Sequence, residues 1–179
     1  TAEVVERQLR SAGYHAVPTT ALAVEQTHSR GGGAVYPLAQ LRELRALVDD
    51  RALALHCDGA RIWNAHIATG VPLAEYGALF DTMSVCLSKG LGAPVGSLVL
   101  MRDSARADRA REIRHRLGGA MRQAGVLAAA GSYAVRNHIA RLADDHERAH
   151  RLAAGIAEAA PGVTGAEEVE TNIVVLDLG

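Results

Sequence analysis

The sequence predicts an α/β protein built on a mostly parallel sheet flanked by helices. Three observations carry that prediction. Strand-like and helix-like stretches alternate from residue 21 to residue 100. Composition agrees: 49% hydrophobic, mostly Ala, Leu and Val, with only 3% aromatic, suits helix faces of Ala and Leu over short Val-bearing strands. The strands also end in polar or reactive residues, as in open α/β sheets that bind ligands beyond their strands' carboxyl ends.

Taken in order, residues 2–12 read as a helix with Val4, Val5 and Leu9 on one face, stopped by Gly13. Residues 21–25 are a short buried strand, followed by a polar, glycine-rich loop from Gln26 to Gly33. Pro37 opens a helix in which Leu38, Leu41, Leu44, Leu47 and Val48 keep helical spacing to about Asp50. Residues 52–57 form the second strand, ending at Asp58-Gly59, and residues 60–69 the next helix, stopped by Gly70. A short helix at 73–79 leads into a strand at 82–87, and a fourth strand at 95–100 follows a glycine loop. Helices are expected over 104–117, 122–138 and 139–159; Pro161-Gly162 breaks the last, and the final residues read as strand. Both ends look cut from a longer polypeptide.

Net charge is −1 with both signs interspersed, which argues against a nucleic-acid surface. No stretch has the length of a membrane span, and no signal-peptide pattern opens the chain. Cys57 and Cys86 are too few and too far apart for a zinc signature and read as reduced, buried thiols, so a cytoplasmic protein is expected.

Of 19 Lys and Arg residues 18 are arginine, and the lone lysine, Lys89, follows a strand and precedes Gly90, Gly92 and Gly96. An ammonium, unlike a guanidinium, can lose its proton and attack a carbonyl. On these residues alone Lys89 reads equally as a strand-end cation reaching water. His28 and Asp58 end the two preceding strands, so imidazole, carboxylate and amine would face one crevice. Asp58 and Arg61 read either as a helix N-cap with a surface ion pair, or as a cation partner and a fork for a carboxylate. Gly31-Gly32-Gly33 reads as a flexible loop, and His66 as a packed residue. His138, His146 and His150 are placed on one helix, where the solvated charged face is preferred to a metal clamp. Ser29, Ser132 and Cys86 lack a nucleophile elbow.

Four segments then carry a family resemblance: Glu25-Gln26-Thr27-His28, His56 to Ala65, Cys86 to Ser97, and Gly118 to Gly125. In order and over essentially the whole chain, they resemble the low-specificity threonine aldolases, fold-type-I pyridoxal phosphate enzymes. The resemblance implies that Lys89 forms the Schiff base with pyridoxal 5'-phosphate, that Asp58 partners the pyridinium nitrogen, and that Arg61 holds the substrate carboxylate. It implies His28 near the substrate β-hydroxyl and Arg122 near the cofactor phosphate or a subunit interface; Ser88 reads equally as a donor to the phosphate or as a capping or packing residue. A retro-aldol cleavage of threonine, allo-threonine or related β-hydroxy-α-amino acids to glycine and an aldehyde is expected, in a homodimer or homotetramer. The alternatives are another reaction at the same cofactor (β-elimination, transamination, racemisation) or a non-catalytic homologue. Residues 1–138 would be the second half of the large cofactor domain, and residues 139–179 a connecting helix and the start of a small C-terminal α+β domain. The family's phosphate loop and stacking histidine would lie before residue 1, and a further arginine beyond residue 179. Departures are Arg114-His115 for the family's frequent Arg-Lys, and Ala120 for a glycine.

Overall fold

A computed structural model describes the backbone of residues 1–179 and the side chains of all but residue 166. Four strands, β1 (Ala21–Glu25), β2 (Ala54–Gly59), β3 (Thr82–Cys86) and β4 (Ser97–Met101), lie in the order β1-β2-β3-β4. The first three are parallel and β4 runs antiparallel to β3. After the short α1 (Ala2–Glu6), α2 (Leu38–Asp50) crosses from β1 to β2, and α3 (Ile62–Thr69) and α4 (Leu73–Leu79) cross from β2 to β3. Such crossovers are what parallel neighbours require, since a tight hairpin cannot join them. α5 (Ser104–Arg116), α6 (Gly125–Asn137) and α7 (Leu142–Ala159) follow the sheet.

The strand period of two sorts side chains by face. Leu55, Cys57, Met83 and Val85 point to the core, where Leu41, Leu44 and Val48 of α2 and Tyr76 of α4 cover them. The alternate residues, Glu25, His56, Asp58, Thr82 and Ser84, lie on the other face and are only partly covered or exposed. A second cluster joins Leu87, Leu91 and Ala93 to Ala134 of α6 and Leu142 of α7. A third holds Ala149 and Ala153 of α7 against Val169.

Several expectations are corrected. Helix α1 stops at Glu6 rather than running to residue 12, and residues 13 and 16 form an isolated bridge. In β1 only Val24 is buried, because the strand lies at the sheet edge. Among the described residues no strand follows α7. The terminal segment has no regular structure: among the described residues its one backbone–backbone bond is Asp177 N–H to Val163 O at 2.8 Å, and a strand needs a neighbour. Nor do the three histidines share a helix: His138 ends α6, while His146 and His150 lie on α7.

His146 overturns the solvated reading. Its side chain is buried against α3, with Nε2 3.1 Å from Asn64 Nδ2, also buried. Burial is the main cause that holds its imidazole below the ordinary 6.5, with Asp145 opposing and His150 adding to the effect. The folded state therefore refuses a proton that the unfolded chain accepts. Stability from this contact is present above pH 6.5 and is lost progressively as pH falls below it. Urea unfolding at pH 7.5 and 5.5 should show a smaller stability at the lower pH, and His146→Gln should flatten that difference; an unchanged slope would refute the neutral, buried assignment.

Candidate active site

The site is assembled by register. Glu25, Asp58 and Ser84 are lateral neighbours at the carboxyl ends of β1, β2 and β3. His28 follows in the loop after β1, Arg61 in the turn after β2, and Lys89 in the loop after β3. Neighbouring strands are about 4.8 Å apart, so three adjacent strand ends span roughly 10 Å, the scale of a small ligand. Sequence reasoning brought His28, Asp58 and Lys89 to one edge, and the fold does so.

Asp58 is exposed, not buried. Its Oδ1 accepts Ala60 N–H at 3.1 Å and lies 3.5 Å from Ser84 Oγ, a long contact, while Oδ2 takes no hydrogen bond. The carboxylate thus closes the turn after β2. It does not cap α3, which begins only at Ile62, with Arg61 (φ −127°, ψ 26°) at the N-cap position and no side-chain cap bond there. The expected surface pair with Arg61 is absent, so the half-buried guanidinium has no carboxylate partner among the described residues. Gly59 permits the close approach of these elements: a Cβ there would stand 2.9 Å from Ser84 O.

The His28 loop closes on itself. His28 N–H donates to Ala34 O, and Gly33 N–H donates back to His28 O, both at 2.9 Å. The exposed imidazole has Nε2 3.7 Å from Glu25 Oε2, while Glu25 Oε1 accepts Ser29 N–H at 2.9 Å. The loop's base is clamped by the fully buried Gln26, whose Oε1 accepts Tyr36 N–H at 3.0 Å and whose Nε2 donates to Tyr36 O at 3.1 Å. Beside it the buried Thr27 Oγ1 has no hydrogen-bond partner, a free polar atom next to His28. From the far side, Thr171 Oγ1 donates to Gly33 O at 2.9 Å and Glu170 Oε2 accepts Val35 N–H at 3.0 Å.

Lys89 is exposed and makes no ion pair among the described residues. Its loop is nevertheless fixed. Lys89 O accepts Gly92 N–H at 2.8 Å, and Leu87 O accepts Ala93 N–H at 2.9 Å. Trp63 Nε1 donates to Cys86 O at 2.8 Å, and His138 Nδ1 lies 2.6 Å from Leu91 O. Leu142 packs so closely on Gly90 that a Cβ there would meet Cδ2 at 2.7 Å. Ser88 is exposed and makes no hydrogen bond among the described residues, so it neither caps nor packs. Arg122 is exposed in the segment between α5 and α6, and no described contact joins it to the strand ends. Cys57, on the core face behind Asp58, has its thiol pushed up to about 12 by burial and by the nearby Asp58 charge, so it is no nucleophile here. Cys86 is only partly buried, less than expected.

Residues 1–178 match the beta-eliminating lyase family. The chain belongs to that family. Among relatives of this chain, the low specificity L-threonine aldolase of Escherichia coli (strain K12) is 42% identical over 176 residues, covering 98% of this chain and 50% of that protein. Low-specificity L-threonine aldolase 1 of Arabidopsis thaliana is 37% identical over 178 residues, covering 98% of this chain and 49% of that protein. The chain spans about half the length of the curated relatives it matches. Among solved structures, Leishmania major threonine aldolase superposes with TM-score 0.73 at 21% identity, covering 88% of this chain and 45% of that one. Serine palmitoyltransferase K265A from S. paucimobilis, with a bound pyridoxal phosphate–myriocin adduct, gives TM-score 0.64 at 19% identity over 100% of this chain and 46% of that one. These likenesses show the fold, the fold-type-I architecture that the sequence resemblance implied.

Sequence reasoning missed Gln26, Ser84 and Thr171. Only Ser84 carried a local signal, a polar residue on the period-two face next to Asp58. Replacing Gln26 with Leu leaves Tyr36 N–H and C=O without partners, so Gln26→Leu should destabilise the fold by about 2–4 kcal/mol in urea unfolding. A loss under about 0.5 kcal/mol would mean that the clamp does not hold the loop.

Proposed function

We propose that this chain carries the catalytic edge of a pyridoxal 5'-phosphate-dependent aldolase that cleaves threonine, allo-threonine or a related β-hydroxy-α-amino acid to glycine and an aldehyde. One observation carries the reading: Asp58 at the carboxyl end of β2, and His28 and Lys89 in the loops after β1 and β3, lie along one edge of three adjacent parallel strands. The threonine aldolases among its relatives support it.

The donor set fits the cofactor. It comprises a primary amine without an ion-pair partner, a carboxylate with one oxygen unbonded, a guanidinium without a carboxylate, and an unpartnered hydroxyl on Thr27. When bound, pyridoxal phosphate supplies an electron sink for the carbon left as Cα–Cβ breaks. Lys89 would hold the cofactor through its amine. Asp58 would supply the negative charge that favours a protonated ring nitrogen. Arg61 presents a planar fork to the substrate carboxylate and fixes the amino acid's orientation. His28 takes the β-hydroxyl proton at an imidazole nitrogen, directly or through a water that it holds. Ser88 and Arg122, both exposed and unbonded, are assigned to the phosphate, and Arg122 alternatively to a subunit contact.

The same reading includes assembly as a homodimer or homotetramer and a cytoplasmic location, the latter supported by two free cysteines. It also retains the division at residue 138, with α7 as the connection to a smaller domain; the turn between α6 and α7 falls at that point.

The test is spectroscopic and chemical. The native full-length polypeptide mixed with pyridoxal phosphate should gain a visible absorbance band and release aldehyde from threonine. Lys89→Ala should abolish the band and lower aldehyde release on the order of a thousandfold or more. Absence of the band in the wild type overturns the reading. Pyruvate from serine without aldehyde from threonine converts it to β-elimination.

A further inference from the structure

We propose that Thr171, remote in sequence from every group assigned above, is a positioning residue for His28, and that the segment 169–175 ties the His28 loop to the Lys89 loop through α7. The inference rests on the role given to His28 in the proposed aldolase.

The geometry is as follows. Thr171 is fully buried, and its hydroxyl donates to Gly33 O at 2.9 Å. Gly33 is itself buried and left-handed, at φ +78°, and a Cβ on it would run into Thr171 Oγ1 and Ile173. Gly33 N–H is the donor to His28 O, and Ala34 O accepts His28 N–H, so the peptides on either side of the one that Thr171 grips are bonded to the backbone of His28. Glu170, the preceding residue, holds Val35 N–H from the exposed side. The hydroxyl therefore fixes the loop that carries the imidazole without approaching the reacting atoms.

The segment is anchored in turn. Val169 is buried against Ala149 and Ala153 of α7. Towards its other end α7 presses Leu142 onto Gly90, next to Lys89, and packs His146 against Asn64 of α3. One rigid helix thus braces the amine-bearing loop and, through Val169 and Thr171, the imidazole-bearing loop. A base must reach its proton within hydrogen-bond distance, and a displacement of about 1 Å costs on the order of a hundredfold in rate.

The test compares Thr171→Val, which keeps the shape and removes the donor, with Thr171→Ser, which keeps the donor. In the native full-length polypeptide loaded with pyridoxal phosphate, Thr171→Val should lower kcat for threonine cleavage by roughly tenfold to a hundredfold, with KM and the visible cofactor band little changed. Thr171→Ser should recover most of the rate. Independently of activity, amide hydrogen exchange at His28 and Gly33 should quicken by roughly tenfold or more in Thr171→Val and not in Thr171→Ser. Unchanged exchange, or equal impairment of both variants, overturns the positioning role. A wild type without the cofactor band overturns the aldolase reading alone, and exchange still decides the tie. Should Thr171→Val fail to fold, Glu170→Ala at the exposed side of the same tie replaces it; faster exchange at Val35 with lowered kcat supports the proposal, and neither change overturns it.

Discussion

Parallel pairing of β1, β2 and β3 is the constraint on which the rest of the molecule depends. Parallel neighbours send all their carboxyl ends to one edge, and each is reached from the one before by a crossover that returns the chain to the opposite edge. Whatever residues occupy the strand ends and the loops just after them are therefore gathered, whatever their separation in sequence. His28, Asp58 and Lys89 occupy such positions here. The register adds a finer alignment by setting Asp58 between Glu25 and Ser84, so the carboxylate stands in a row of polar neighbours on the face that the core does not use.

Gathering is not holding. Loops at a sheet edge lose the ladder that satisfies backbone groups within a strand, and each buried group left unpaired costs about 1–3 kcal/mol. The chain answers with side chains drawn from elsewhere. Gln26 supplies both halves of a missing ladder pair to Tyr36, Trp63 caps the carbonyl at the end of β3, and His138 lies within hydrogen-bond distance of Leu91 O in the Lys89 loop. The reactive groups themselves, His28, Asp58, Arg61 and Lys89, make few contacts. Rigidity resides in the loop backbones, and the functional atoms stay open to a ligand.

What the sequence made legible follows the range of the signal. Strand period, helix spacing and glycine stops act over a few residues, and they located the sheet, most helices and the three strand-end groups. The Asn64–His146 pair joins residues 82 apart and the Thr171–Gly33 bond joins residues 138 apart, so neither left a local spacing to read. His146 was misjudged because Asp144, Asp145, Glu147 and Arg148 surround it in sequence, whereas its own position on α7 faces inward. The terminal segment was misread for the converse reason. Its alternation is strand-like, but no strand among the described residues lies beside it. Strand β4 shows a third limit: Leu98, Val99 and Leu100 are all apolar, yet all are exposed, since a run of apolar residues does not state what covers it.

The near-exclusive use of arginine has an effect of its own. With one ε-amine among 179 residues, and that one solvent-facing at the loop after β3, modification at lysine side chains has a single address in this chain. Acylating agents, reducing sugars and stray aldehydes spend themselves on many lysines in an ordinary protein, mostly without consequence. In this chain every such lysine adduct falls on the residue to which the proposed reaction assigns the cofactor.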